Sequence, residues 1–196
     1  MSDDEQTFPR AQHLTLGYSL LEDRVQMRLT LSEERGAVVG WLPRRLVVGL
    51  AERLGEVLRR SHPATEGEPA ADAVLALEHQ AAHAALSGPA AGEGDEAAEG
   101  DEPGEGAETP EAPETPPAYL VTEARVEARE GHLLLGLLGH PMPTVFGVSG
   151  AAAPVAGLLL TREQAHELLR MLAEQADQAE WALPRRLGWL RRGLPG

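Results

Sequence analysis

Cysteine and lysine are missing from this sequence, and aromatic residues are scarce. No cysteine occurs among the 196 residues, which excludes disulfide bonds, thiol catalysis and cysteine-bound zinc. Aromatic residues make up only 4% of the chain, so few side chains can stack on nucleic-acid bases. All 17 basic residues are arginine, which, with the abundant alanine, glycine and proline, indicates a GC-rich genome rather than a selected chemistry.

Long apolar segments are also missing. The N-terminus, MSDDEQTFPR, is acidic and lacks the apolar core of a secretory signal. The longest apolar runs, around Leu133–Leu138 and Ala151–Leu160, fall far short of the roughly 20 residues that span a membrane. We therefore expect a soluble, cytoplasmic protein without a transmembrane segment.

Charge is unevenly distributed along the chain. The formal net charge is −14, but fourteen of the 31 acidic residues lie between positions 63 and 118, where no arginine occurs. The other 17 acidic residues balance the 17 arginines. The acidity therefore belongs to the middle segment and not to the rest of the protein.

This middle segment divides into a helix and a linker. Residues 68–86 are rich in alanine and predict a helix with a shallow apolar face. Residues 87–117 consist largely of Gly, Pro, Glu and Ala and have too little apolar surface to fold, so we predict disorder. The linker is interpreted either as an acidic tail that recruits a basic partner or, as we favour, as a solubilising insertion in a long loop.

The first half begins with three predicted strands. In RVQMRLTL, every second residue from Val25 to Leu31 is apolar, the pattern of a half-buried strand. QHLTLGY before it and GAVVGWL after it are joined to it by short turns. Pro43 then fits the first turn of a helix, and leucines recur at every fourth residue from Leu46 to Leu58, which predicts a face packed on the sheet.

The second half follows the same plan. AYLVTEARVEAR and HLLLGLLG flank a Glu130–Gly131 turn, PVAGLLL predicts a further strand, and PTVFGVSG is a weaker candidate. A capping box at Thr161 and Gln164 starts a helix that we expect to run to Pro184. Aligning Leu42 with Leu160 superposes the leucines of the two helices, so both halves are predicted to share one strand-to-helix unit.

These patterns predict one α+β domain. It has an antiparallel sheet of about six or seven strands in two hairpin-containing halves and two or three helices, interrupted by the disordered acidic loop. The predicted boundaries are a disordered N-terminus at 1–10, a first half at 11–86, the linker at 87–117, a second half at 118–183 and a basic tail at 184–196.

His79 and His83 form the strongest metal-like pattern. Four residues apart on a helix, they would lie on one face. Gln80 stands where the zinc-protease motif needs a glutamate base, and no third ligand is indicated. We therefore interpret them as two exposed histidines, with metal binding as the weaker alternative, and expect no cofactor.

Clustered arginines and two tryptophans are the candidate partner contacts. Arginine pairs at the start of the first helix and in the tail could contact phosphates. The basic, Trp-containing tail could also lie on an anionic membrane or dock in a partner groove. The candidate residues are Arg44, Arg45, Trp181, Arg185, Arg186, Trp189, Arg191 and Arg192. A frayed tail that partly folds back is an equally good interpretation of the C-terminus.

No pattern of a nucleophile with its base, of a phosphate-binding loop or of clustered carboxylates occurs outside the linker. We therefore expect a non-enzymatic interaction or scaffold protein. It is predicted to self-associate as a homodimer and to bind a protein partner whose identity the sequence does not indicate. The alternative is a nucleic-acid-associated accessory factor that uses the arginine clusters, which we favour less.

The segment WLPRRL and the closing helix ELLRMLAEQADQAEW resemble a family of small uncharacterised proteobacterial proteins. The resemblance covers Gln12–Arg60 and Tyr119–Trp181; family members carry threonine where this chain has Pro43, a departure that affects helix capping. The resemblance implies no function. The topology is also similar to the head domains of eukaryotic end-joining scaffolds and centriolar cartwheel proteins, a similarity of fold alone.

Overall fold

The structure, a computed structural model, describes residues 7–32, 36–61, 68–86, 115–129, 131–143 and 150–193, without the side chains of 68–70 and 191–193. Within these ranges the chain forms six strands, three α-helices and a C-terminal 3-10 helix. The elements are β1 (Ala11–Ser19), β2 (Arg24–Leu31), β3 (Ala37–Pro43), α1 (Arg44–Arg60), α2 (Glu68–Leu86), β4 (Ala118–Arg129), β5 (His132–Pro141), β6 (Ala153–Leu160), α3 (Arg162–Gln178) and the 3-10 helix (Arg185–Gly193). The α+β prediction is confirmed.

The six strands form one sheet in chain order. All neighbouring strands are antiparallel except β3 and β4, which run parallel with Trp41 opposite Leu120. The predicted antiparallel arrangement is confirmed at the other four pairs, and the parallel pair was not predicted. The chain leaves β3 through α1 and α2, and this crossover is long enough to return it as a parallel neighbour.

The sheet curls until its two ends approach each other. Arg10 forms a parallel bridge with Gly157, and the Gly157 amide donates to the Pro9 carbonyl at 2.8 Å. The Phe8 ring lies on Gly136, where a β-carbon would come within 2.8 Å of it. Thr7–Arg10 are therefore part of the fold rather than of a disordered N-terminus, and residues 1–6 lie outside the described ranges.

Each half consists of three strands followed by a helix, as the alignment of Leu42 with Leu160 predicted. Leu50 and Leu168 are buried at equivalent places in α1 and α3, and so are Leu54 and Leu172. Helix α1 contacts β2, β3 and β4, while α3 contacts β1, β5 and β6, and the two helices contact each other. A single apolar core therefore joins the two halves.

The helix α2 and the 3-10 helix form an outer layer. Both contact each other, and α2 also lies on α3. The buried positions of α2 recur with helical spacing at Ala71, Leu75, His79 and Ala82. The predicted shallow apolar face is thus the face that packs on α3. Residues 184–193 of the predicted tail are part of the folded domain.

Helix α3 ends at Gln178, six residues before the predicted end at Pro184. Glu180 adopts the left-handed conformation (φ 55°), its amide donates to the Asp177 carbonyl, and the Trp181 amide donates to Ala176 at 2.7 Å. These bonds form a Schellman motif, which usually employs glycine at the left-handed position. Because glutamate rather than glycine occupies the left-handed position here, nothing in the sequence indicated that the helix ends before Pro184.

The predicted disorder of the linker and the predicted strand in PTVFGVSG lie largely outside the described residues. Residues 87–114 and the centre of PTVFGVSG, residues 144–149, are not described. Pro117, at the end of the predicted linker, accepts a hydrogen bond from the Val39 amide at 2.9 Å, so the linker ends earlier than predicted. None of the helices in the described part of the chain is long and apolar enough to cross a membrane.

Candidate interaction surfaces

Arg44 and Arg45 are exposed at the first turn of α1, as predicted. Pro43 precedes the helix in an extended conformation (φ −69°, ψ 156°) and provides no side-chain cap, and the first turn contains no acidic residue. Pro43 is therefore the residue before the helix and not part of its first turn. Two cations at this end oppose the helix dipole, so helix stability does not account for them.

Trp181 was predicted to be an exposed partner contact, and this was wrong. Its side chain is only 4% exposed, because the turn that ends α3 folds it back onto the core. Its ring meets the ring of Tyr18 edge-on, with 5.6 Å between centroids. Trp181 therefore connects the end of α3 to β1.

Trp189 was likewise predicted to be exposed, and it is 1% exposed. It lies in the 3-10 helix with Leu187, which packs so closely on α1 that a β-carbon at Gly55 would lie 2.5 Å from the Leu187 methyl group. Because Gly55 has no side chain, the 3-10 helix can pack closely on α1. The folding-back interpretation of the tail accounts for these contacts, and the two tryptophans are core residues.

The arginines of the tail remain at the surface. Arg185 and Arg186 are exposed, and Arg186 forms an ion pair with Glu52 of α1. Glu52 follows Arg45 by seven residues, about two helical turns, so the structure brings Arg186 to the face of α1 that carries Arg45. The side chains of Arg191 and Arg192 lie outside the described residues.

The interpretation of His79 and His83 as two exposed histidines was wrong for His79. His79 is 2% exposed, whereas His83 lies at the edge of the buried face, 3.9 Å from the Glu167 carboxylate. The His79 ring packs against His166 of α3 and against Trp189, with centroid distances of 5.8 and 5.7 Å. We call these three side chains the ring cluster.

Burial in the ring cluster disfavours the protonated form of both imidazoles. Burial lowers the pKa of His79 and lowers the pKa of His166 to about 4. Glu78 lies 3.4 Å from the His166 ring and opposes this shift, but burial has the larger effect. No group of three metal-ligating side chains is assembled in the described part of the chain.

Arg162 joins three helices beside the ring cluster. Its guanidinium donates two hydrogen bonds to Glu78 of α2, at 2.8 and 3.2 Å, and two more to the Leu58 carbonyl and the Ser61 hydroxyl at the end of α1. Arg162 is the first residue of α3. The bidentate ion pair therefore fixes the position of α2 over α1 and α3.

The turn between β1 and β2 presents two leucines to solvent. Leu20 is 84% exposed and Leu21 93%. The turn is nevertheless ordered, since the Tyr18 hydroxyl donates to Asp23 at 2.8 Å, the Glu22 amide donates to the Ser19 hydroxyl, and Asp23 is left-handed (φ 48°). We call Leu20–Asp23 the hairpin tip.

A groove lined by both polar and apolar side chains lies where β1 and β6 diverge. Its volume is about 290 Å³, and α3 provides its floor with Leu168 and Met171. Leu86, at the end of α2, and Leu159 border it and are 51% and 46% exposed. Four elements build this groove, which we call the seam groove, so no single stretch of sequence could have predicted it.

The hairpin tip did have a signal in the sequence that we did not use. The stretch SLLED places two leucines where turns usually carry Gly, Asn, Asp or Pro. An apolar pair in a short turn cannot face the core, because the turn lies beyond the ends of both strands.

Comparisons with known proteins found no match: no family model, no curated protein and no solved structure matches this chain. The resemblance to the small proteobacterial family stays a prediction.

Proposed function

We propose that this protein is a non-enzymatic interaction protein that self-associates. The observation that carries the proposal is the hairpin tip, whose two leucines are almost fully exposed on an ordered turn. Isolated apolar side chains on a surface are common, but an adjacent pair at the end of a rigid hairpin is a suitable contact for another protein surface. The expectation that the protein is not an enzyme rests on the sequence patterns alone.

The energetics favour a reversible contact. Burying one leucine side chain contributes about 1.5–3 kcal/mol, and much of this is offset by the lost freedom of the associating molecules. The hydrogen bonds of Tyr18, Ser19 and Asp23 order the turn before any contact forms, which lowers the entropy cost of binding. We therefore expect self-association that depends on protein concentration.

Size-exclusion chromatography with light scattering tests this proposal. The wild type should have a mass above that of one chain, and Leu20→Ser with Leu21→Ser should reduce it to one chain. Leu77→Ser is the matched control, because Leu77 is 66% exposed on α2, away from the tip. A tip variant that assembles like the wild type would refute the role of the tip.

A nucleic-acid accessory factor is the second candidate, and Arg44 and Arg45 favour it. They place two exposed cations at a helix start without a side-chain cap or an acidic residue, where free backbone amides also favour anions. Binding to DNA or RNA should weaken steeply with salt and should be lost in Arg44→Ala with Arg45→Ala. Arg53→Ala, on the same helix, is the control, and no binding at low salt would end this candidate.

A further inference from the structure

We propose that the cleft between α3 and the C-terminal residues 183–190 binds a small, uncharged molecule with an apolar ring and one hydroxyl group. The cleft, which we call the tail cleft, has a volume of about 280 Å³. A dry cavity of roughly 150 Å³ is large enough for benzene, so the tail cleft has room for one substituted ring. The inference goes beyond the proposed self-association, since the described residues that line the cleft include none of the hairpin tip.

Most of the lining of the tail cleft is apolar. Helix α3 lines it with Ala173, and the chain after α3 lines it with Leu183, Pro184, Leu187 and Leu190. Apolar surface that leaves water for such walls is stabilised by the hydrophobic effect. The walls therefore suit the ring of the ligand, and the polar group of the ligand needs a partner elsewhere in the cleft.

A buried histidine without a hydrogen-bond partner lines the tail cleft. His79 of α2 is one of the lining residues and is only 2% exposed. It forms no hydrogen bond with a described residue. Of its two ring nitrogens only Nδ1 is fully enclosed, so Nε2 is the nitrogen that a molecule in the cleft can reach. Because buried polar groups almost always have partners, Nε2 is where the ligand supplies one.

A hydroxyl group suits Nε2 in either tautomer of the ring. A neutral imidazole has one donor nitrogen and one acceptor nitrogen, and a hydroxyl group can both donate and accept. Burial lowers the pKa of His79 and so favours the uncharged ring. A carbonyl group could only accept, and a ring without polar atoms would leave Nε2 without a partner. The hydroxyl group is therefore the polar group that we assign to the ligand.

The charged residues of the tail cleft favour a ligand without charge. Arg170 and Arg185 line the cleft together with Glu174 and Asp177, so the two positive and two negative charges balance. Arg170 is already paired with Glu174 and with Glu167. Arg185 is exposed, so water and salt screen its charge. A charged ligand would lose its hydration in the cleft and would meet charges of both signs.

Phenol and toluene are the probes that test the proposal, because both carry the same ring and only phenol has a hydroxyl group. Phenol should cause saturable changes in the amide NMR signals of residues that line the tail cleft. Since water also binds phenol better than toluene, the decisive quantity is the ratio of the phenol affinity to the toluene affinity. This ratio should fall by about tenfold in His79→Leu, which has no hydrogen-bonding atom on its side chain.

A second pair of variants tests the location. Ala173→Phe should fill the tail cleft and abolish saturable binding of both probes, whereas Ala84→Phe, at an exposed position of α2, should leave binding unchanged. Circular dichroism checks that each variant is folded. His79→Phe replaces His79→Leu if that variant is unfolded. Gly188→Phe replaces Ala173→Phe in the same case, because Gly188 lines the cleft and a β-carbon there meets nothing within 4 Å.

Three results would overturn the proposal. Phenol-induced changes that do not saturate, or that spread over the whole surface, would show that there is no specific site. Saturable binding that persists unchanged in Ala173→Phe would place the ligand outside the tail cleft. An equal ratio of phenol to toluene affinity in the wild type and in His79→Leu would show that His79 does not recognise the hydroxyl group.

Discussion

At the scale of single residues, the ring cluster illustrates how burial determines chemistry. His79, His166 and Trp189 pack three rings between α2, α3 and the 3-10 helix. Nδ1 of both histidines and Nε1 of the tryptophan have no hydrogen-bond partner among the described residues. Buried polar atoms without partners reduce stability, and an imidazole in such a place is more stable without its proton.

Acid should therefore destabilise the fold. The unfolded chain protonates histidine at its ordinary pKa of 6.5, whereas burial holds the pKa of folded His166 at about 4. Between these values the unfolded state binds more protons, so the stability present above pH 6.5 falls as the pH falls, by up to about 1.4 kcal/mol per pH unit for each such histidine. Burial also lowers the pKa of His79, so this histidine likewise makes the fold less stable as the pH falls.

Urea unfolding at a series of pH values between about 6.5 and 5 measures this slope before most carboxylates titrate. His166→Leu should make the slope shallower, and His13→Leu, which changes an exposed histidine on β1, should leave it unchanged. An equal slope in the wild type and His166→Leu would show that burial of His166 has no part in the acid response.

Two strand glycines make a matched pair. At Gly139 an added β-carbon would lie 2.5 Å from the Leu120 carbonyl oxygen, whereas at Gly17 it would meet nothing within 4 Å. Gly139→Ala must push β5 away from β4 and should lower the free energy of unfolding by about 1–3 kcal/mol. Gly17→Ala should be neutral or slightly stabilising. Thermal and urea unfolding of both variants check this, and equal stabilities would contradict the close approach.

At the scale of elements, local patterns predicted the strands and helices well. The residues that alternate between apolar and polar from Val25 to Leu31 form β2, and the leucines at every fourth residue lie in α1. The capping box at Thr161 starts α3, and both of its hydrogen bonds are formed. Each of these signals depends on residues close in sequence. Their success extends to the shared strand-to-helix unit of the two halves.

Contacts between distant parts of the chain could not be predicted in this way. The parallel pairing of β3 with β4 and the ion pair between Glu78 and Arg162 join residues far apart in sequence. The placement of Trp189 depends on Gly55 of α1. A basic, Trp-containing tail has the same composition whether it docks on another protein or packs on its own domain. Only the contact with α1 shows that this tail packs on its own domain.

The structural role of the 3-10 helix leads to a test. Trp189→Ala removes a side chain that is 1% exposed and should lower the free energy of unfolding by about 3–5 kcal/mol. Arg185→Ala, at an exposed position of the same helix, should change it by less than about 0.5 kcal/mol. Urea unfolding of the wild type and of both variants measures these changes in the free energy of unfolding. A Trp189→Ala variant of wild-type stability would restore the interpretation of Trp189 as a partner contact.

At the scale of the whole molecule, two halves of the same design share one core and differ in what they expose. The first half provides the hairpin tip, while the seam groove is built where the start of the first half meets the end of the second. Among the described side chains, the predicted partner surface keeps Arg44, Arg45, Arg185 and Arg186 and loses Trp181 and Trp189, which are buried. An apolar self-contact therefore replaces the basic tail as the basis of the proposed interaction.

Sedimentation equilibrium of the wild-type protein over a wide range of concentrations tests this central proposal most directly. We predict that the average mass rises from one chain at low concentration to more than one chain as the concentration increases, because a contact made by two leucines is weak enough to be reversible. A mass of one chain at every concentration would contradict self-association.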